Sequence, residues 1–153
     1  MTPEQVDMVQ ESFKKVLPIA DTAADIFYDR LFEVAPEVRP MFAADMAKQK
    51  KALMGTLAVA VQSLNKIEEI VPVVQDLGAK HLSYGVKDEH YDVVGASLLY
   101  TLEKGLGDDW NDDLKAAWAE TYGTLAGVMK DAAAAEAAKP EKKKGLLARV
   151  FGG

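Results

Sequence analysis

The chain contains no cysteine. That excludes a disulfide framework, thiolate zinc sites, iron–sulfur ligation and a cysteine nucleophile, and it fits a reducing compartment. Only two histidines are present, His81 and His90, too few for a structural zinc site without thiolates. No Gly-rich phosphate loop opens a helix and no Gly-x-Ser-x-Gly elbow occurs, so nucleotide and serine-hydrolase chemistry lack a motif. Alternating strand patterns, hairpin dipeptides between apolar runs and internal repeats are also missing. The longest uncharged stretch falls between Lys51 and Lys66, well short of the roughly 20 residues a membrane helix needs. The start, Met1-Thr2-Pro3-Glu4-Gln5, has neither the basic residues nor the apolar core of a signal peptide. A soluble, cytoplasmic protein is expected.

What is present is a 153-residue chain, 49% hydrophobic, with a net charge of −6. The length suits one domain with one sizeable core. The charge is uneven. Residues 139–153 hold five Lys or Arg against one Glu, a local +4, which leaves −10 on residues 1–138. An acidic body argues against nucleic acid as a partner, because phosphate contacts need clustered cations.

Nearly every segment has helical periodicity. Thr2, Pro3 and Gln5 form a helix start, with a cap, a proline at the first position and a capping-box glutamine. Val6, Val9, Phe13, Val16 and Leu17 follow at helical spacing, and Pro18 breaks the run. A second helix is expected from Asp21 to Val34, with Ala24, Phe27, Tyr28, Leu31 and Phe32 on its apolar stripe. Pro36 and Pro40 then allow only a short turn and a corner ending at Phe42. A third helix is expected from Asp45 to Leu64, and a shorter segment over 67–84. Asp88 reads as the cap of a helix with Tyr91, Val94, Leu98, Leu102 and Leu106 inward. The last helix starts near Asn111 or Asp112 and buries Leu114, Trp118, Tyr122, Leu125 and Met129. The expected domain is 1–133. Residues 134–153 read as an Ala-rich extension and a basic, flexible tail, in which Leu146, Leu147, Val150 and Phe151 form a narrow apolar face suited to weak membrane or protein contact.

Chemistry concentrates at His81. It shares a helix face with Val74 and Leu77, and it reads either as a core histidine bonded to a carbonyl or as an axial ligand, since one neutral imidazole suffices to hold a haem iron. His90 lies in a first turn beside Asp88 and Glu89 and reads as exposed. Gln49 and Leu53 share an otherwise apolar face, where a glutamine needs a partner. The Tyr28 hydroxyl has the same need.

Five stretches carry a family resemblance: 27–32 (FYDRLF), 36–42 (PEVRPMF), 80–86 (KHLSYGV), 90–95 (HYDVVG) and 117–123 (AWAETYG). In this order and spacing the chain resembles a globin over residues 4 to about 130, and is most similar to bacterial single-domain globins of the flavohaemoglobin and neuroglobin-like lineage. The resemblance implies an all-α globin fold, with helices packed three-on-three around a pocket for haem b.

It also implies roles. His81 matches the proximal iron ligand and Phe42 the phenylalanine packed on the haem at the corner. Gln49 and Leu53 match the distal positions, and Tyr28 the distal tyrosine. Leu57, Val74, Leu77 and Leu98 are expected to line the apolar slot. The implied ligands are O2, NO or CO, and the implied activity is O2 binding or transport, or nitric oxide detoxification. A phenol and a carboxamide in a dry pocket can donate to O2 carrying partial negative charge. A redox or gas sensor signalling to a partner or membrane through the tail is the alternative.

Two departures stand out. Flavohaemoglobins carry a flavin and nicotinamide reductase domain after the globin, and this chain is expected to hold none, which implies an external reductase. Their proximal side also links the histidine to a tyrosine and a glutamate. Tyr91 matches the tyrosine, but Ala133 stands at the glutamate position, so the push of a hydrogen-bonded carboxylate is missing. Only six residues, Ala43 to Lys48, separate Phe42 from Gln49. A one-residue slip would bring Lys48 or Lys50 to the distal position.

Overall fold

The computed structural model describes residues 1–83 and 85–138. The amphipathic tail segment expected at 146–151 lies outside these residues. Among the described residues there are six α-helices and no strand: α1 (Pro3–Val16), α2 (Ala20–Val34), α3 (Ala47–Gln62), α4 (Ile67–Ser83), α5 (Asp88–Leu106) and α6 (Asp112–Ala137). A 3-10 turn, Pro36–Met41, forms the corner between α2 and α3. No helix among the described residues is long and apolar enough to cross a membrane.

Local sequence explains the boundaries. The Thr2 hydroxyl accepts from the Gln5 amide at 3.1 Å, and the Gln5 side chain accepts from the Thr2 amide at 2.9 Å, satisfying two N–H groups that a helix start would leave unpaired. Pro18 falls in a short 3-10 turn, Leu17–Ile19, that joins α1 to α2. Asn111 caps α6, its side-chain oxygen accepting from the Leu114 amide at 2.8 Å. α3 begins two residues later than expected. Asp45 stays outside it and accepts from the Ala47 amide at 3.0 Å.

The last helix runs unbroken through the alanines to Ala137, with Ala133 buried. At α5 the expectation for Asp88 is corrected: it is the first helical residue, and Lys87 holds the cap position.

One core joins α1, α2, α5 and α6 through Val9, Phe13, Leu31, Leu102 and Trp118. Each such side chain contributes about 1.5–3 kcal/mol by leaving water. The Trp118 indole donates to the Ser12 hydroxyl at 2.8 Å, so the one polar atom of the largest core residue is paired. A smaller cluster of Ala60, Ile70 and Val74 packs with Leu125, Val128 and Met129.

Two glycines set helix spacing. A Cβ at Gly78 would collide with the Met129 carbonyl and come within 2.7 Å of the Met129 Cα. α4 and α6 therefore touch backbone to backbone. A Cβ at Gly95 would lie 2.7 Å from the Tyr122 ring. While α4 lies along α6, α3 packs on α2 and α1, and α3 and α4 hardly touch each other.

Candidate functional site

Tyr28 anchors one side. It is buried in α2 (3% exposed) within a group of aromatic rings. Its ring centroid lies 4.9 Å from Phe27, 5.9 Å from Phe32 and 5.6 Å from Phe42, and Phe32 and Phe42 meet edge-on at 5.5 Å. The hydroxyl accepts from the Gln49 side-chain amide at 3.1 Å. Burial raises the phenol pKa, and the Gln49 bond lowers it less than burial raises it. The phenol therefore keeps its proton at neutral pH. Because its oxygen already receives the amide N–H, its own O–H is available to donate to a third group.

The register of α3 follows from this contact. Gln49 meets Tyr28, and the next residue, Lys50, pairs with Asp25 of α2 at 2.7 Å. Asp25, with a smaller contribution from Asp29, raises the Lys50 pKa, against a lowering by desolvation. The ammonium stays charged and paired with Asp25, and Lys48 and Gln49 are both exposed, Gln49 reaching in to Tyr28 by its amide alone. One and two turns beyond Gln49, Leu53 and Leu57 are half-buried and pack against the main core beside Phe42, Met46 and Met54.

His81 sits in the last turn of α4. Its Nδ1 lies 2.6 Å from the Leu77 carbonyl. A carbonyl can only accept, so Nδ1 is the donor, and in the neutral ring the lone pair then lies on Nε2, the tautomer a metal ligand requires. The same bond fixes the ring's rotation. Leu77 and His81 are both half-buried. The Tyr91 ring lies 6.3 Å from the imidazole at an interplanar angle of 34°.

Tyr91 is buried, and its hydroxyl has no hydrogen-bond partner among the described residues. Desolvation raises its pKa, with a smaller push from Asp88. Its position is fixed through the backbone, because the Tyr122 hydroxyl donates to the Tyr91 carbonyl at 2.6 Å. Burial drives the Tyr122 phenol far upward, and Tyr91 and Asp92 add to the shift. The Lys130 ammonium lies 5.9 Å from the Tyr91 ring centroid. No carboxylate stands at position 133, where α6 buries an alanine methyl.

The expected lining residues separate into two groups. Leu98 is buried in the main core with Leu53 and Leu57 packed against it, whereas Val74 belongs to the smaller cluster under α6. The reading of His90 as exposed is overturned. It is 8% exposed, and its Nδ1 accepts from the Lys87 amide at 2.9 Å. An imidazole at the third helical position turns back to satisfy an N–H at the helix start, as an acidic or amide side chain would. The sequence holds no periodic signal for that.

No group of three or more His, Asp or Glu among the described residues could hold a metal ion. A haem differs in bringing four nitrogens of its own and asking the protein for one axial ligand. These residues fit that demand. His81 has the required tautomer. The apolar side chains Phe42, Leu53, Leu57 and Leu77 are only half-covered by protein, in a chain whose main core is otherwise close-packed. A buried phenol hydroxyl, that of Tyr91, is orphaned beside the imidazole.

Comparison with known proteins identifies the family. The globin family pattern matches residues 25–129. A flavohemoprotein of Bacillus subtilis (strain 168) is 35% identical over 132 residues, covering 79% of this chain and 33% of its own length. The chain thus spans about a third of that flavohemoprotein. Among solved structures, a bacterial globin from Campylobacter jejuni superposes with a TM-score of 0.81 at 28% identity, over 90% of this chain and all of that one. An engineered carbene transferase, made from a candidate nitric oxide dioxygenase of Rhodothermus marinus, superposes at 0.79. Its identity is 23%, over 88% of this chain and 94% of that one, a likeness of fold alone. With the family pattern spanning most of its helices, this chain belongs to the globin family.

Proposed function

We propose that this globin binds haem b through His81 and binds O2 reversibly, and that it converts nitric oxide to nitrate when a separate reductase supplies electrons. The haem iron, when bound, supplies the site at which a diatomic ligand is held. The remaining contributions come from the chain. His81, oriented by the Leu77 carbonyl, offers Nε2 as the axial ligand. Phe42, Leu53 and Leu57 exclude water, which strengthens every hydrogen bond made among them. Tyr28 directs its one proton towards the ligand, because its oxygen is already engaged by Gln49.

The observation that carries this reading is the 3.1 Å part-buried bond from the exposed Gln49 to the buried Tyr28, at the edge of an aromatic cluster. A buried phenol that accepts one bond and keeps its own proton suits a ligand whose far atom gains negative charge. Overall, NO, O2 and one electron give nitrate. The electron must be returned each cycle, and we assign that step to a separate protein. The site also accommodates CO, which needs no donor.

The test is an absorption spectrum of the haem-loaded protein in ferric, ferrous and CO-bound forms. An intense haem band that shifts on reduction and again with CO is expected. His81→Ala should lose the imidazole-ligated spectrum. A parent chain that takes up no haem, or a mutant with an unchanged spectrum, would overturn the assignment.

A further inference from the structure

Five residues, Phe42 to Met46, connect the corner to α3, and little about them explains their order. Ala43, Ala44 and Asp45 are exposed, and two of the three are alanines with only a methyl group to pack. Yet this connection sets both Phe42 and the register of Gln49, the third residue of α3.

What holds it is Arg39, on the 3-10 turn before it. One terminal nitrogen of the guanidinium donates to the Phe42 carbonyl at 3.3 Å and to the Ala43 carbonyl at 3.0 Å. The other donates to the Ala44 carbonyl at 3.3 Å. The plane lies over the Phe32 ring, 5.1 Å from its centroid, and Phe32 in turn packs on Phe42 and Tyr28. The Arg39 carbonyl accepts from the Phe42 amide at 3.1 Å, closing the turn from below.

Among the described residues, Arg39 makes no ion pair. Arg30 does the opposite, pairing with Glu33 at 3.1 Å. The Arg39 guanidinium is committed instead to three consecutive backbone carbonyls. A planar fork of donors can do this from one rotamer, and an ammonium cannot.

We infer that Arg39 is a positioning residue for the ligand site, holding Phe42 in place and fixing the α3 register that brings Gln49, rather than Lys48 or Lys50, to Tyr28. The geometric half of this inference stands on the carbonyl contacts. Its meaning for ligand binding rests on the function proposed above.

The test uses the full chain with Arg39→Met, which keeps an apolar stem over Phe32 and removes the donors, and Arg39→Lys, which keeps the charge. Hydrogen exchange is followed at the amides of Phe42, Ala47 and Lys50, which are bonded to Arg39, Asp45 and Met46 respectively. Loss of the planar donor fork should speed exchange there by about tenfold in both variants, while α5 and α6 exchange as in the parent. In the haem-loaded protein, the CO stretching band, which reports the polarity around the ligand, should split as the Gln49–Tyr28 contact becomes heterogeneous. A general loss of stability would instead speed exchange throughout the chain and leave one CO band. Unchanged exchange at these three amides, or a uniform increase, overturns the inference. If the parent takes up no haem, the proposed function falls while the exchange measurement still decides the role of Arg39.

Discussion

The Gln49 side-chain amide donates to the Tyr28 hydroxyl across 3.1 Å, so the two polar groups of the pocket act in series. On the proposed reading Gln49 commits one of its two N–H groups to Tyr28, and Tyr28 faces the ligand. Tyr28→Phe should therefore speed O2 release by tenfold or more, the value of a net bond of about 1.5 kcal/mol. Gln49→Leu should act in the same direction but less. In a Tyr28→Phe background, Gln49→Leu should add little, because the group it acts through is gone. Stopped-flow release rates for the four proteins check this. Additive effects would mean that each side chain reaches the ligand independently.

Gly78 should tolerate no side chain. α4 and α6 meet there backbone to backbone, with Met129 atoms where a Cβ would go, and no side-chain rotation can clear them. Gly78→Ala should cost about 1–3 kcal/mol by overpacking, and it should also speed haem loss because it displaces the helix that carries His81. Gly123, inside α6, is the contrasting site, since a methyl group added there would meet nothing within 4 Å. Gly123→Ala should stabilise by about 0.5–1 kcal/mol through helix propensity. Denaturant titration of both variants separates crowding from propensity.

Alkaline pH should destabilise the fold before neutral or mildly acidic pH does. Burial raises the phenol pKa of Tyr28, Tyr91 and Tyr122 above the ordinary value of 10.0. Below that value both folded and unfolded chains keep the protons, and the stabilisation is complete. As pH rises past about 10, the unfolded chain loses protons first and stability falls, until the folded phenols ionise as well. Tyr122→Phe should lose about 1 kcal/mol at neutral pH with its bond to the Tyr91 carbonyl and should show a shallower decline above about pH 10. Urea midpoints measured from neutral to strongly alkaline pH provide the check, and a parallel decline in both proteins would remove Tyr122 from the account.

Much of the architecture is legible in the sequence because it rests on local signals. The Thr2–Gln5 box, Pro18, the Pro36–Pro40 corner and Asn111 each mark a boundary through chemistry within a few residues. Gln49 reads as an amide on an apolar face that needs a partner, yet the structure leaves it exposed, with one bond reaching Tyr28. That the partner is Tyr28, 21 residues away, follows only from how α3 crosses α2. His90 misleads because acidic neighbours in a first turn resemble a surface, and nothing local shows an imidazole turning back to cap. Arg39 is invisible as a site residue for a similar reason. Its partners are main-chain carbonyls, which leave no pattern in the sequence.

The proximal side offers the remaining test. The Tyr91 hydroxyl is buried with no partner among the described residues, beside the His81 ring, and Ala133, at the position the family resemblance gives to a glutamate, is buried one turn along α6 from Lys130, whose ammonium lies over the Tyr91 ring. An unpaired buried hydroxyl costs about 1–3 kcal/mol, so an acceptor supplied there should be taken up. Ala133→Gln offers a neutral acceptor and Ala133→Glu a charged one. Both should bond Tyr91, but the carboxylate must also shed its water, so the Glu variant should be the less stable of the two. If Tyr91 is coupled to His81, negative charge on that side should make the imidazole a stronger donor. The iron–histidine stretching frequency of the ferrous haem-loaded protein should then rise in the Glu variant and hardly move in the Gln variant, and peroxidase-type turnover should rise with it. An unchanged frequency in both, with Tyr91 shown to be bonded, would mean that this hydroxyl does not communicate with His81.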